Sequence, residues 1–426
     1  MRSTQPLDTH NMKKLPYYLL VVVSLLFSCK ESKKTITKTT THQNQIEDLL
    51  QFFNENAYQE TQGTYYSDID NEGNVVSDKV FNVALSRLIY GLSYSKHIDI
   101  SNLERAQKAA AFQMGNLVIE DSSMIYFASF FDLETNMPDS SKNLDIWQQA
   151  YGLCGLTELY RNDPNQDLLA NIHRLHDNFV ETFHDSIKGG FFGNFEANKQ
   201  VVGSKTLQAL IYPITAYMEN LYLVDVNNRN KYEPYLKENI QIAFNNGWNK
   251  ELGWVNLKFD DNWNPCQHSS PDSVCFTVTP GHNFQYASVF LRSKNWDFLT
   301  TQERSQYQQF GIEILNTTLE KPIFPKIDLS QGFYSEVNPV TNNITDKRKT
   351  WWQHGEALIA FSLADDKYNV EAKNLENFYF NTFPDKVNGG EFYIVNEFNI
   401  PQTDESKGSI GKSVYHTIEM IKFLEK

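Results

Sequence analysis

Apolar positions recur with helical spacing in a dozen stretches of this chain, and short aromatic or glycine-rich segments punctuate them. The spacing predicts helices over 46–60, 78–96, 101–118, 140–161, 164–183, 204–226, 229–246, 280–298, 301–319, 346–365, 366–383 and 406–425. Six of the interruptions share one signature and return at intervals of about sixty residues. They are Gly63-Thr64-Tyr65-Tyr66, Ile125-Tyr126-Phe127, Gly189-Gly190-Phe191-Phe192, Gly253-Trp254-Val255, Gly332-Phe333-Tyr334 and Gly389-Gly390-Glu391-Phe392-Tyr393. Each reads as a hairpin, followed by polar turn residues and an amphipathic stretch. A repeat of this length cannot bury its apolar face alone and must stack on its neighbours. Six such units predict an all-α fold, a closed (α/α)6 barrel with short β-hairpins on one rim.

The helices expected to start at 78, 140, 204, 280, 346 and 406 follow the hairpins and carry less charge, as an inner ring requires. Ser77-Asp78, Asp163-Pro164, Thr279-Pro280 and Asp404-Glu405 read as helix starts. Pro213 is expected to bend the helix that contains it. The long connection from Lys258 to Thr279 has the length of a lid or pocket wall. Chemistry is expected from the hairpins and from the first turns of the inner helices.

Composition narrows the partners. The net charge of −14 over 426 residues argues against nucleic acid, which selects a basic face. Aromatic residues make up 14% of the chain. Rings in excess of core needs suit a sugar, whose C–H faces stack on them. At the N-terminus, Lys13-Lys14, the apolar run Leu15 to Phe27 and Leu26-Phe27-Ser28-Cys29 read as a bacterial lipoprotein signal. Residues 1–28 are then signal peptide with Met12 the expected start, 29–45 a lipidated flexible tether, and 46–426 the barrel. Cys29 carries the lipid, and the barrel is held at the cell envelope, on the outer membrane, outside the cytoplasm. Cys154 sits in an apolar helix and reads as a buried thiol; Cys266 and Cys275 flank a polar loop and suit a disulfide. Cys266 and His268 with Cys275 match no standard zinc spacing.

Several polar groups stand in apolar inner stretches. His282 and Gln285 are three apart at the start of the fourth inner helix and share a face. Trp352 and Glu356 do so on the fifth at i, i+4, with His354 off that face, and His416 lies on the last. Arg87 sits among Val83, Ala84, Leu88 and Gly91 and needs a partner, either a buried carboxylate such as Asp78 or a ligand. A lone helical histidine is more often structural than catalytic, and Trp351-Trp352 also reads as ring packing. Convergence of His282, Glu356 and His416 from three helices on one rim favours a pocket.

At these residues the chain resembles the N-acylglucosamine 2-epimerase and cellobiose 2-epimerase superfamily, which includes aldose–ketose isomerases. The resemblance spans residues 46–424. It rests on Pro280-Gly281-His282, Trp351-Trp352 with Glu356-Ala357, Gly389-Gly390-Glu391-Phe392-Tyr393, and the run from Lys407 to Tyr415-His416. It implies that His282 and His416 are general acid and base at C2 of an opened reducing sugar. It also implies that Arg87, Trp352, Glu356, Gln285 and Glu391 bind the mono- or oligosaccharide, and that no metal or other cofactor is needed. The chain departs from the family pattern at Gln285, where glutamate is usual. It departs again in Lys205 to Tyr212, which lacks the usual histidine and glutamate. Two other readings stay open: an (α/α)6 glycoside hydrolase or polysaccharide lyase, with Glu356 and Glu391 as its carboxylates, and a non-catalytic sugar-binding lipoprotein.

Overall fold

The periodic stretches fold as helices of two kinds, and burial separates them. The computed structural model describes residues 41–425 apart from 122–123, 197, 200 and 267–276. In chain order the helices are α1 (Thr41–Asn56), α2 (Asn82–Tyr94), α3 (Ile100–Phe112), α4 (Ile146–Asn162), α5 (Gln166–Phe183) and α6 (Leu207–Tyr212). They continue with α7 (Glu219–Val224), α8 (Glu233–Asn246), α9 (Pro280–Arg292), α10 (Thr301–Leu319), α11 (Trp351–Leu363), α12 (Asn369–Thr382) and α13 (Tyr415–Leu424). A π-helical stretch, Pro213–Met218, joins α6 and α7 into one rod. The irregularity expected from Pro213 therefore appears as a widened turn, which tolerates the missing N–H.

Outer helices bury one stripe: in α5 the buried positions are Leu169, Ile172, Leu175, His176, Phe179 and Phe183. Inner helices are enclosed on all sides; every residue of α2 from Asn82 to Ser93 is buried. The inner ring runs α2, α4, the α6–α7 rod, α9, α11, α13 and back to α2. Glycine lets neighbouring helices approach where the ring is tightest. A Cβ on Gly155 of α4 would stand 2.2 Å from the Ser86 carbonyl of α2, and one on Gly91 would stand 2.3 Å from Val414.

A short strand precedes most inner helices and pairs with the excursion that follows the next hairpin. Lys79–Phe81 pairs with Phe130–Asp132, and Asn143–Asp145 with Asn194–Glu196. Lys205–Thr206 pairs with Lys258–Phe259, and Lys349–Thr350 with Ile394–Val395. Single bridges complete the set, Val278 with Val337 and Gly408 with Ile69. The last joins the first and final repeats, so backbone hydrogen bonds as well as α2–α13 packing close the ring.

These pairings explain where the sequence reading misplaces boundaries. Helices expected at 78, 140, 204, 346 and 406 begin at 82, 146, 207, 351 and 415, because the residues ahead of them are held in strands or turns. Ser77-Asp78 and Asp404-Glu405 are therefore not helix starts. The cap of α4 is Asp145, which accepts from Trp147 and Gln148, and that of α5 is Asn165. The helix at Pro280 starts where expected. Helix α1 starts at Thr41 and takes in residues 41–45, which the sequence alone gives to the tether. Of the hairpin signals, those at Tyr65, Tyr126 and Trp254 form two-stranded ladders, and those at Gly190 and Gly390 form single bridges. At Gly332 the described chain makes a turn instead, Gly332 N–H donating to the Leu329 carbonyl.

Cys154 is a buried free thiol on α4, and Cys266 is disulfide-bonded. Cys275, its expected partner, lies outside the described residues, as do the signal segment, Cys29 and residues 29–40. No described helix is long and apolar enough to cross a membrane.

Candidate active site

The inner helices all open their N-termini at the hairpin rim, and a cavity of about 290 Å³ lies there. Its walls are Arg87 of α2, Trp147 of α4, Gln208 and Tyr212 of α6, His282 and Gln285 of α9, Trp351 and Trp352 of α11, His416 of α13, Tyr393 and Gly411. Five of these, Trp147, Gln208, His282, Trp352 and His416, are the second or third residue of their helix. Side chains of a first turn point back past the helix end, which aims them at the mouth of the barrel.

His416 is the most constrained of them. Its Nδ1 is 3.0 Å from Glu356 Oε1, and Gln285 Nε2 donates to the same oxygen at 3.2 Å. With Nδ1–H donated to the carboxylate, Nε2 is left as the acceptor nitrogen. Burial lowers the pKa of His416, the Glu356 hydrogen bond opposing it. His282 packs at a tilt against Trp352 with centroids 5.4 Å apart, and His416 lies 6.1 Å from the same indole. The two imidazoles thus flank one ring and one cavity. Burial pulls His282 down to about 4, with Glu356 opposing, and its Nδ1 has no hydrogen-bond partner among the described residues.

Arg87 takes a ligand-facing place. Its guanidinium donates to the Gly411 carbonyl and lies 4.0 Å from the Tyr151 ring, with Tyr415 and Trp147 further out at 5.4 and 5.6 Å. Among the described residues no carboxylate comes within salt-bridge distance of it, Asp78 included. Its Nε is likewise unbonded. A buried cation caged by rings with donors to spare is placed to receive an oxygen of a ligand.

Glu391 requires a correction. The hairpin folds its side chain between α12 and α13, where Thr417 Oγ1 donates to it at 2.6 Å and Tyr379 OH at 3.4 Å. Burial raises its pKa, and it is not among the residues lining the cavity. Glu391, expected at the substrate, is packed between α12 and α13 and lies outside this cavity. Lys412, which moderates that shift, is buried with its Nζ 3.9 Å over the Trp351 ring, and burial lowers its pKa to about 8. His354 points away from the cavity, as its helical position implies. Its Nδ1 bonds the Thr350 carbonyl at 2.7 Å and its Nε2 accepts from Phe333 N–H at 3.0 Å.

The sequence profile of the N-acylglucosamine 2-epimerase family matches residues 63–420. The chain belongs to that family. A cellobiose 2-epimerase of Ruminococcus albus is 23% identical over 337 residues, covering 75% of this chain and 79% of the relative. Among solved structures, a sugar epimerase from a ruminal bacterium superposes with a TM-score of 0.77 at 18% identity, over 90% of this chain and 98% of that one. A D-mannose isomerase superposes with a TM-score of 0.76 at 16% identity, over 92% and 99%. These likenesses establish the (α/α)6 barrel, and membership makes the protein an enzyme of the sugar epimerase and isomerase class.

Within this epimerase-family barrel, the sequence-chosen residues His282, His416, Arg87, Trp352 and Gln285 line one cavity. Glu356 stands directly behind it, on His416 and Gln285. The wall contributed by α6 carries Gln208 and Tyr212, the residues of the stretch that departs from the family pattern. Sequence reasoning passed over Trp147, Gln208, Tyr212 and Tyr393. For Trp147 and Gln208 the usable signal is position in the first turn, hidden because the sequence reading starts those helices several residues early; Tyr212 and Tyr393 carry no such signal. Among the described residues no group of three or more His, Cys, Asp or Glu is arranged to hold a metal ion.

Proposed function

We propose that this enzyme moves the C2 proton of a reducing sugar without a cofactor, as a 2-epimerase or an aldose–ketose isomerase. The observation that carries the reading is the shared indole. Two imidazoles from different inner helices pack on Trp352, in one cavity with an arginine that has no carboxylate partner among the described residues.

An α-proton of an opened sugar is weakly acidic, so its removal needs a positioned base and a cation on the developing enediolate. His416, fixed by Glu356, presents Nε2 as that base, and Arg87 stands where the negative oxygens would rest. His282, kept neutral by burial, faces the intermediate from its own helix. A proton returned to C2 on the other face inverts the centre; a proton returned to C1 gives the ketose. Trp352 and Trp351 offer their faces to the sugar's C–H bonds.

A hydrolase of this fold needs two carboxylates about 5–9.5 Å apart across the scissile bond. Glu391 is engaged elsewhere and Glu356 is bonded to His416, so no observation favours that reading. Proton NMR in heavy water, over a panel of D-glucose, D-mannose, N-acetyl-D-glucosamine and cellobiose, tests the proposal. Deuterium should appear at C2 of at least one sugar. Binding of a panel sugar with no exchange would leave the non-catalytic reading in its place. The lipid anchor at Cys29 and the outer-membrane location are part of the same proposal. Labelled fatty acid should enter the mature protein and be lost in Cys29→Ser.

A further inference from the structure

Proton transfer at C2 requires an open-chain aldehyde, whereas a reducing sugar in water is almost wholly a closed hemiacetal. Opening the ring needs one proton delivered to the ring oxygen and one removed from the anomeric hydroxyl. Few groups around the cavity do either. Arg87 keeps its proton at any working pH. His416 is bound through Nδ1 to Glu356 and is engaged at C2. Among the described residues of the cavity wall, the remaining acids are the phenols of Tyr212 and Tyr393, beside the neutral base His282.

Position separates the two phenols. Tyr393 leans on Trp351, centroids 4.7 Å apart, on the His416 side. Tyr212 shares with His282 and Gln208 both the main cavity and an adjoining compartment of about 230 Å³, so these three residues stand at the junction of the two. Gln208 and Tyr212 are four residues apart on α6 and project from one face. The Tyr212 hydroxyl makes no hydrogen bond to a described residue, while its ring packs on Tyr151, the ring under Arg87.

We propose that Tyr212 is the proton donor that opens the sugar ring, with Gln208 holding the anomeric oxygen beside it. This rests on the C2 proton-transfer reading and adds a step to it. The phenol proton passes to the ring oxygen as the C1–O5 bond breaks. The anomeric O–H proton passes to His282 as C1=O forms. In anomer exchange, closure runs the two transfers in reverse and restores phenol and neutral imidazole. In a turnover that inverts C2, His282 gives its proton to C2, and the proton taken by His416 passes to solvent, which returns one to the anomeric oxygen. Protons and charge thus balance without an added reactant. Burial raises the Tyr212 pKa, which keeps the phenol protonated between turnovers.

Ring opening has a readout of its own, the interconversion of α- and β-anomers. The experiment measures anomer exchange by NMR, together with C2 deuteration, on the panel sugar that the wild-type enzyme deuterates. Wild type should accelerate both. Tyr212→Phe, which keeps the ring and removes only the hydroxyl, should lose about 10²–10⁴-fold of the enzymic anomer exchange. His416→Ala should keep anomer exchange while losing C2 deuteration, and Gln208→Ala should slow anomer exchange with the thermal midpoint unchanged. Wild-type anomer exchange in Tyr212→Phe overturns the proposal. So does a wild-type enzyme that deuterates C2 without accelerating anomer exchange. Failure of C2 deuteration on every panel sugar removes the underlying reading instead.

Discussion

The two ends of the inner ring treat charge in opposite ways. Near the C-terminal ends of the inner helices Arg292 bonds Glu219 at 2.9 Å and Glu419 at 3.3 Å, and Trp296 donates to Glu219 at 3.2 Å. Tyr90 donates to Glu419. Lys422 bonds the Tyr90 hydroxyl at 2.9 Å and Glu158 at 3.0 Å, and Arg161 meets Glu158 at 3.0 Å. Five inner segments, α2, α4, α7, α9 and α13, are joined by this one network, and within it Arg292 Nε alone lacks a bond. At the mouth, Arg87 Nε, His282 Nδ1, Gln285 Oε1 and Trp351 Nε1 are all unbonded to described residues. A buried polar atom without a partner costs roughly 1–3 kcal/mol. Four such atoms thus border the cavity, whereas the buried charges of the network at the other end are paired with one another.

The contrast breaks most sharply if the histidines are removed. His416→Ala and His282→Ala should each lower C2 exchange by about 10²–10⁴-fold. Calorimetry should show the barrel still folded, since both side chains border the cavity. Unchanged exchange in both variants would end the two-histidine mechanism.

The floor should respond in the opposite sense. Glu219→Ala leaves Arg292 short of a buried partner, and loss of one member of such a pair costs about 3–5 kcal/mol. Denaturant unfolding should show that loss while C2 exchange per folded molecule is retained. An intact midpoint would show the network to be dispensable.

Arg87→Met sharpens the assignment of the mouth. Loss of a charged hydrogen-bond donor to the enediolate should lower kcat/KM by about 10- to 100-fold. Stability should hold or improve, because an unpaired buried cation goes with it.

Acid should weaken the fold through its buried histidines. His354 is pulled down by burial to about 3, and His176 and His282 to about 4. Below pH 6.5 the unfolded chain binds protons that the fold refuses, so stability present above 6.5 is lost as pH falls toward 4. At pH 5 each histidine contributes a loss on the order of 1–2 kcal/mol. His354→Phe should flatten that slope, measured as thermal midpoint against pH, without moving the acid limb of kcat/KM. The smallest effect belongs to Glu391→Gln, which should soften the α12–α13 contact and leave kcat/KM at the wild-type value. A kinetic defect there would return Glu391 to the site.

The gross architecture was legible because it is written in periods. Helical spacing, six hairpin signals and low charge in alternate helices already specify an alternating ring, since any other packing strands an apolar face. The candidate site was legible where a polar group interrupted an apolar stretch, as Arg87, His282, Glu356 and His416 do. Tyr212 and Gln208 broke no pattern on α6 and were missed. Glu391 was misassigned because its hairpin resembles a pocket element in composition.

What the sequence determined by itself was the list of elements, their order and the chemistry available at each. Local spacing and residue type act over a few residues, and those are visible along a chain. Except at Pro280, the tertiary structure decided where the inner helices begin, because strand pairing with the next repeat, about fifty residues away, competes with the helix for the same backbone groups. That competition set which side chain occupies the first turn. It therefore decided that Trp147, Gln208, His282, Trp352 and His416 meet at one cavity while Glu391 turns outward.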